Sequence, residues 1–464
     1  MRCSKLKEIL ILKVNEIIDE ICPLLDSLFD DWVVKGIARE ENQIRFSQNQ
    51  IDINKSWQEL KLELFLAIKR RTLEISLVDL RKERIEKNLN ECVKKLKASK
   101  LNLNYKKLPS GPFSYNSAIQ ENIYDNKVEN LGEKAIDLTH LAIEEALSQG
   151  TERVAGTFFF GSTKFLLTSS TGLSGEYIRT NLNFRIRAFA RDLHATGEAI
   201  SCSTHLNKGF NTIEAGKEAG EIARASVGSK KGVPGTYNII IYPKVATELQ
   251  APTPAIAMNS YVHKMGLAWL VGKKVGDQIA SECISVWDDG TIPQGLRTAP
   301  FDDELVPTNR TLLIDKGKIK AFYTNTSLAK KGEKSTGNAG ITMPKPTNTV
   351  FSKGDYSLEE LMEISEKPTL LITSTWYTRY QSYAPPGILS SLPKDGMFLI
   401  KNKGKTLEPV KELRINSDHY HLLNNTVALG KKLKQVVTWL SPGNNSIFAP
   451  FMLIEDIKMT TGTK

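Results

Sequence analysis

The run YIRTNLNFRIRAFAR, Tyr177 to Arg191, alternates: Ile178, Leu182, Phe184, Ile186 and Ala188 point one way, and Arg179, Asn181, Asn183, Arg185 and Arg187 the other. A two-residue period puts successive side chains on opposite faces of a strand, so this segment reads as a long strand with one core face and one wet, basic face. A sheet with such a face needs helices on its apolar side. FNTIEAGKEAGEIARAS, rich in alanine and other small residues, supplies a helix able to pack closely on a sheet, and Val128 to Gln149 has the period of a second.

Upstream, DWVVKGIARE, NQIRFSQNQIDIN, LKLELFLAIKR and TLEISLVDL read as four strands of an antiparallel sheet. They follow an amphipathic first helix with Ile9, Leu10, Val14, Ile17, Ile18, Ile21, Leu24 and Leu25 at helical spacing; Lys13, Glu16, Asp19 and Glu20 interrupt it too early for a secretion signal. The Gly, Pro, Ser and Lys of VGSKKGVPGT mark a boundary, and hairpin signals dominate beyond it, as in TLLIDKGKIKAFYT and FLIKNKGKTLEPV. We therefore expect an α+β protein of two domains: an N-terminal sheet-and-helix domain over 1–232 and a mainly antiparallel β domain over 233–464.

Composition narrows the functional classes. Five dispersed cysteines with no C-x-x-C pair argue against a disulfide framework or thiolate zinc site and for a cytoplasmic location, and no apolar run is long enough to span a membrane. The net charge of +10 raises a nucleic-acid reading, but Leu80 to Lys107 alone holds ten Lys/Arg against three Glu. Leu80, Ile85, Leu89, Val93 and Leu96 keep helical spacing there, so the lysines read first as a solvated helix face. Lys94, Lys95, Lys97, Lys100, Lys106 and Lys107 would be the contacts if the chain bound a polyanion. No phosphate-binding loop or dinucleotide fingerprint is present. Of the six histidines, His140, His194, His205, His263, His419 and His421, only the last two are adjacent in a motif; HYHLLNNTVALGKKLK can be read as a helix, whereas on a strand the two would share a face and offer half a metal site.

VWDDGTIPQGLRTAPFDDE, Val286 to Glu304, places two acidic clusters a short loop apart. Their chemistry suits general acid and base work or a hard cation, and equally a scaffold in which Asp caps nearby backbone N–H groups. The order of signatures decides: DDGT, then FDDE with PTNR, LIDKGKIK, STGNA, and PTNTVFSKGD before a short helix. In this order they resemble the TldD/PmbA family, and RFSQNQIDI, NTIEAGKEAGEIARAS and GMFLIKNKG extend the resemblance over nearly the whole chain.

The resemblance implies a choice between two branches. TldD-type members are zinc peptidases with an H-E-x-x-x-H helix before the DDGT strand and a cysteine ligand before the late hairpin. The matching stretches here, Pro252 to Ala257 (PTPAIA) and Pro385 to Gly396, contain no His or Cys, and the two prolines of the first also disfavour a helix. The chain is thus more similar to the TldE (PmbA) branch. That implies no catalytic or metal-ligating residue and no cofactor in this chain, with zinc held by a TldD-type partner in a heterodimer, and a role in enclosing and holding unfolded peptide; self-association stays open. Asp288, Asp289, Gly290, Phe301, Asp302, Asp303, Glu304, Gly337, Asn338 and Asn348 are then expected as family scaffold beside an internal peptide cavity, where peptide would add to exposed sheet edges. The alternatives are an independent metal-dependent hydrolase using His419, His421 and the acidic loops, and a basic gyrase-modulator-like protein; specific nucleic-acid binding is not expected.

Overall fold

The computed structural model describes residues 2–191, 195–365, 367–437 and 446–461, with side chains from residue 14 onward. His194 and the side chains of Ile9 and Leu10 lie outside the described residues.

The N-terminal half is built on one six-stranded sheet of order β3-β2-β1-β4-β5-β6: β1 Asp31–Ser47, β2 Gln50–Ile68, β3 Arg71–Leu77, β4 Arg153–Ser169, β5 Ser174–Phe189 and β6 Thr196–Ser203. The first three come from four expected runs. Gln48 and Asn49 have φ of 49° and 68°, and Lys69 and Arg70 have 47° and 63°. Two consecutive positive φ values make the tight two-residue hairpin whose twist matches its strands, so NQIRFSQNQIDIN turns in its middle instead of running on as one strand.

Helices cover one side of this sheet. Arg2–Leu28 lays Val14, Ile18, Ile21 and Leu25 on it, and Lys82–Ala98 adds Ile85, Leu89, Cys92 and Leu96 to the same buried cluster. The lysines of Lys82–Ala98 face outward, whereas Lys106 is tied elsewhere: its Nζ donates to the Ala329 carbonyl at 2.9 Å. The expected helix over Val128 to Gln149 is interrupted at Gly132, φ 49°, giving Asn126–Glu129 and Lys134–Ser148. Lys134–Ser148 and Thr212–Ala225 cover the apolar face of β4 to β6, where Leu182, Phe184, Ile186 and Ala188 are fully buried. Glycine permits this layer: a Cβ on Gly216 would sit 2.3 Å from the Ala142 carbonyl oxygen, and one on Gly197 2.2 Å from that of Ala219.

The C-terminal half holds two sheets around a separate core containing Trp269, Tyr323 and Phe351. One has six strands, with Val286–Asp289 between Arg310–Asp315 and Asn348–Phe351. The other has ten, with Gly235–Ile241 near its middle. Most pairs are antiparallel, but Thr369–Ile372 runs parallel to Gly235–Ile241 and Asn348–Phe351 parallel to Ser446–Ala449.

Two local readings are decided by the structure. Thr253–Ala257 forms one π-helical turn despite the prolines, because Pro252 caps it and Pro254 lies in the first turn, where the missing N–H is not needed. His419 and His421 open the helix His419–Asn424 rather than lying on a strand, so a spacing of two directs them apart. His419 stacks on Trp269 with ring centroids 3.8 Å apart, and His421 Nε2 meets the Asp456 carbonyl at 2.9 Å. They form no metal pair.

Candidate functional site

The wet face of the N-terminal sheet is where the two halves meet. It floors a cavity of about 600 Å³, and loops 296–308 and 337–347 of the C-terminal half form its roof. Strand register orders the floor in rows. Arg39, Thr163 and Arg179 lie opposite one another on β1, β4 and β5, with Glu59 next to Arg39 on β2. Two residues along is the row Glu41, Gly161 and Asn181, and in the other direction Ile37, Phe165 and Tyr177. The alternation that makes β5 amphipathic therefore delivers Tyr177, Arg179, Asn181 and Asn183 to one cavity wall. A sheet face bounds the cavity, not a sheet edge; the outer strand β6 is met by Gln435, whose Nε2 donates to the Cys202 carbonyl at 3.3 Å.

Every carboxylate of the two acidic clusters is buried and engaged. Asp288 accepts from Asn338 Nδ2 at 2.6 Å, Thr347 N at 2.8 Å and Thr347 Oγ1 at 2.6 Å, tying two roof residues to the strand Val286–Asp289. Its carboxyl is pushed up to about 6, because burial outweighs those hydrogen bonds. Asp289 accepts from Thr291 N and Oγ1, closing the turn at Gly290, whose own Cβ would lie 2.6 Å from that of Thr308. Asp302 accepts three backbone N–H groups, those of Glu304 at 2.9 Å, Val306 at 3.0 Å and Ala339 at 2.8 Å, so one side chain fastens both roof loops.

Asp303 is tied to two lysines, Lys35 Nζ at 3.0 Å and Lys345 Nζ at 2.5 Å, whereas the cation beside Asp289 is the more exposed Arg310, at 3.5 Å. Burial would raise the pKa of Asp303, but the two lysines hold it down at about 2. The Lys35 contact joins the floor to the roof. Glu304 faces a smaller neighbouring cleft and accepts from Thr326 N at 3.0 Å. Asn348 braces the loop from behind: its amide donates to the Asp289 carbonyl at 2.7 Å, and its Oδ1 accepts from Arg297 N at 3.1 Å. Gly337, φ 72°, passes where a Cβ would be 2.3 Å from the Pro307 carbonyl oxygen.

Of the ten residues singled out in the sequence, Phe301, Asp302, Asp303, Gly337 and Asn338 line the cavity; Asp288, Asp289, Gly290, Glu304 and Asn348 stand behind it. Lys35, Arg39, Lys61, Arg297 and Lys345 also line it and were not anticipated. The basic alternation of β5 pointed to Arg179 and its neighbours, but no local signal links Lys35 to an acid 268 positions away.

A zinc ion does not fit the stretches the resemblance would assign to it. Pro252 to Ala257 presents Pro, Thr, Ala and Ile, buried except for a half-buried Ile256, and Pro385 to Gly396 has only Asp395 as an ionisable oxygen donor, which pairs with Arg187 at 2.7 Å. Among the described residues no three His, Cys, Asp or Glu side chains converge to hold a metal ion. His263, the histidine nearest that turn in sequence, meets the Lys273 carbonyl at 2.9 Å and lies against Phe322.

Residues 127–227 match the PmbA/TldA metallopeptidase central domain and residues 234–461 the C-terminal domain of the same family. The chain is 24% identical to a metalloprotease TldD homolog of Buchnera aphidicola over 59% of its own length and 60% of the relative's. It is 27% identical to a metalloprotease of Archaeoglobus fulgidus over 37% and 40%. Thus it spans three-fifths or less of these curated relatives. Two crystal structures share its fold over 96% of the chain and the whole of theirs: a proposed DNA gyrase modulator of Thermotoga maritima, TM-score 0.82 at 22% identity, and TldE of Thermococcus kodakarensis, TM-score 0.76 at 18% identity.

Proposed function

Because the chain belongs to the PmbA/TldD metallopeptidase family, we propose that it is the zinc-free, TldE-type subunit of a two-component peptidase, acting in the cytoplasm to enclose and hold unfolded peptide while a TldD-type partner carries the metal. The observation that carries this reading is the pairing of a retained chamber with an absent donor set. The acidic motifs are spent on tying the cavity roof together through Asp288, Asp302 and Asp303, while the stretch aligned with the zinc helix has no side chain able to bind zinc. With a sheet face as floor, peptide contacts would come from side chains such as Glu41, Asn181 and Asn183 rather than from strand addition.

The test has three parts. The purified chain should contain no stoichiometric zinc by elemental analysis and should leave casein intact. Mixed with a TldD-type protein from the same source, it should co-elute on size exclusion, with digestion appearing only when the partner's H-E-x-x-x-H is intact. One zinc per chain with chelator-sensitive cleavage by this chain alone would refute the proposal.

A further inference from the structure

The cations facing the cavity are unevenly matched. At one end Lys35 and Lys345 share Asp303, and Lys61 meets Glu63 at 3.0 Å. At the other end three guanidinium groups face the same volume. Arg39 pairs with Glu59 at 3.5 Å with both side chains about a third exposed, a geometry that contributes little. Glu41, the next carboxylate on the same face of the strand, feels the charge of Arg39 but bonds the Asn181 side chain, and burial still pushes its carboxyl up. Arg179 donates to the Thr298 carbonyl at 3.2 Å and lies over Phe165, so it has hydrogen-bond and ring partners but no counter-ion among the described residues. The Arg297 side chain has no hydrogen-bond or ion-pair partner among the described residues.

Burial comes first and the mutual repulsion of the arginines second in lowering Arg179 and in holding Arg297 at about 10. Holding such groups together without an anion costs folding free energy, a cost commonly retained where a ligand supplies the missing charge. A guanidinium fork matches a carboxylate in two parallel hydrogen bonds.

We propose that Arg39, Arg179 and Arg297 form an anion subsite that binds a carboxylate of the peptide held in the cavity. The inference rests on the peptide-holding reading above and adds the chemical class that the cavity selects.

A short peptide with uncharged side chains and an uncharged N-terminal dye tests it by fluorescence anisotropy against the full chain. Three forms are compared: a free C-terminal acid, a C-terminal amide, and the amide carrying one internal Asp. At least one carboxylate form should bind about tenfold or more tighter than the plain amide, as a charge-assisted pair requires. Which form does so identifies the source of the carboxylate. Arg297→Gln should abolish the difference and raise the thermal midpoint of the ligand-free chain, because a repelled, unpartnered cation is removed. Equal binding of all three forms overturns the subsite and leaves the chamber reading standing, whereas no binding of any form overturns both. Discrimination that survives in R297Q, or a lowered midpoint, assigns the arginine a structural role instead. Displacement of the peptide by inorganic phosphate at lower concentration than by acetate overturns the carboxylate assignment.

Discussion

Replacing Asp303 by Asn removes the acid that ion-pairs floor and roof through Lys35 and Lys345. Lys35, with a side chain only 10% exposed, would lose its 3.0 Å partner and keep just Glu63 at 3.5 Å; Lys345, 43% exposed, would be left to solvent. The magnitude can be approached from two sides. A carboxyl held at about 2 rather than its ordinary 3.8 corresponds to about 2 kcal/mol of stability at neutral pH. Removing one partner of a buried pair costs about 3 to 5 kcal/mol because the other charge is stranded.

The exposure of Lys345 lets water screen its half of the bridge, so the lower end of that range, about 3 kcal/mol, is the expected loss on Asp303→Asn. The sign with pH follows from a lowered folded-state pKa. The contribution is complete above the unfolded value near 3.8 and disappears as pH falls through about 2, so wild type and variant should converge in acid. Urea unfolding followed by tryptophan fluorescence measures both effects. Lys35→Met in the Asp303→Asn background should recover part of the loss, since no buried cation is then stranded. A variant within about 0.5 kcal/mol of wild type, the scale of an ordinary surface substitution, would show that the bridge does not couple the two halves. Failure of Lys35→Met to rescue would show the same.

Two further outcomes are expected. Gly216→Ala, which would gain about 1 kcal/mol in an isolated helix, should instead lose about 1 to 3 kcal/mol because its methyl meets the Ala142 carbonyl; a raised melting temperature would refute the close approach. Duplex DNA should bind only weakly and without sequence preference at physiological salt, with Kd of roughly 10⁻⁴ to 10⁻⁶ M, since the basic helix is a solvated face; sub-micromolar, sequence-selective binding in a filter assay would overturn that.

The sequence by itself determined what depends on neighbours along the chain. The period of two from Tyr177 to Arg191 separated the face that became core, Leu182 to Ala188, from the face that carries Arg179, Asn181 and Asn183. The apolar spacing of Lys82–Ala98, the Lys-Gly turns of the late hairpins and the acidic turn at Asp289-Gly290 are equally local, and so legible. A period says which residues share a face and nothing about what covers it. Only the tertiary structure turned the wet face of β5 into a cavity wall, by bringing down a roof that starts more than a hundred residues later.

The same limit applies elsewhere. The segment from His419 reads as strand or helix in the sequence, and distant and local partners decide: Asp418 caps the His421 backbone and starts a helix, and His419 is taken into the apolar core beside Trp269. At PTPAIA one proline stands at the N-cap and the other in the first turn, where a backbone N–H has no helical partner to lose, so both are tolerated. The five acids near Asp288 and Asp302 looked alike in sequence, and their roles diverged only through distant partners: backbone amides for Asp302, Asn338 and Thr347 for Asp288, and Lys35 for Asp303. The charge state of a carboxylate is set by what surrounds it in space, and for Asp303 half of that surrounding comes from the other end of the chain.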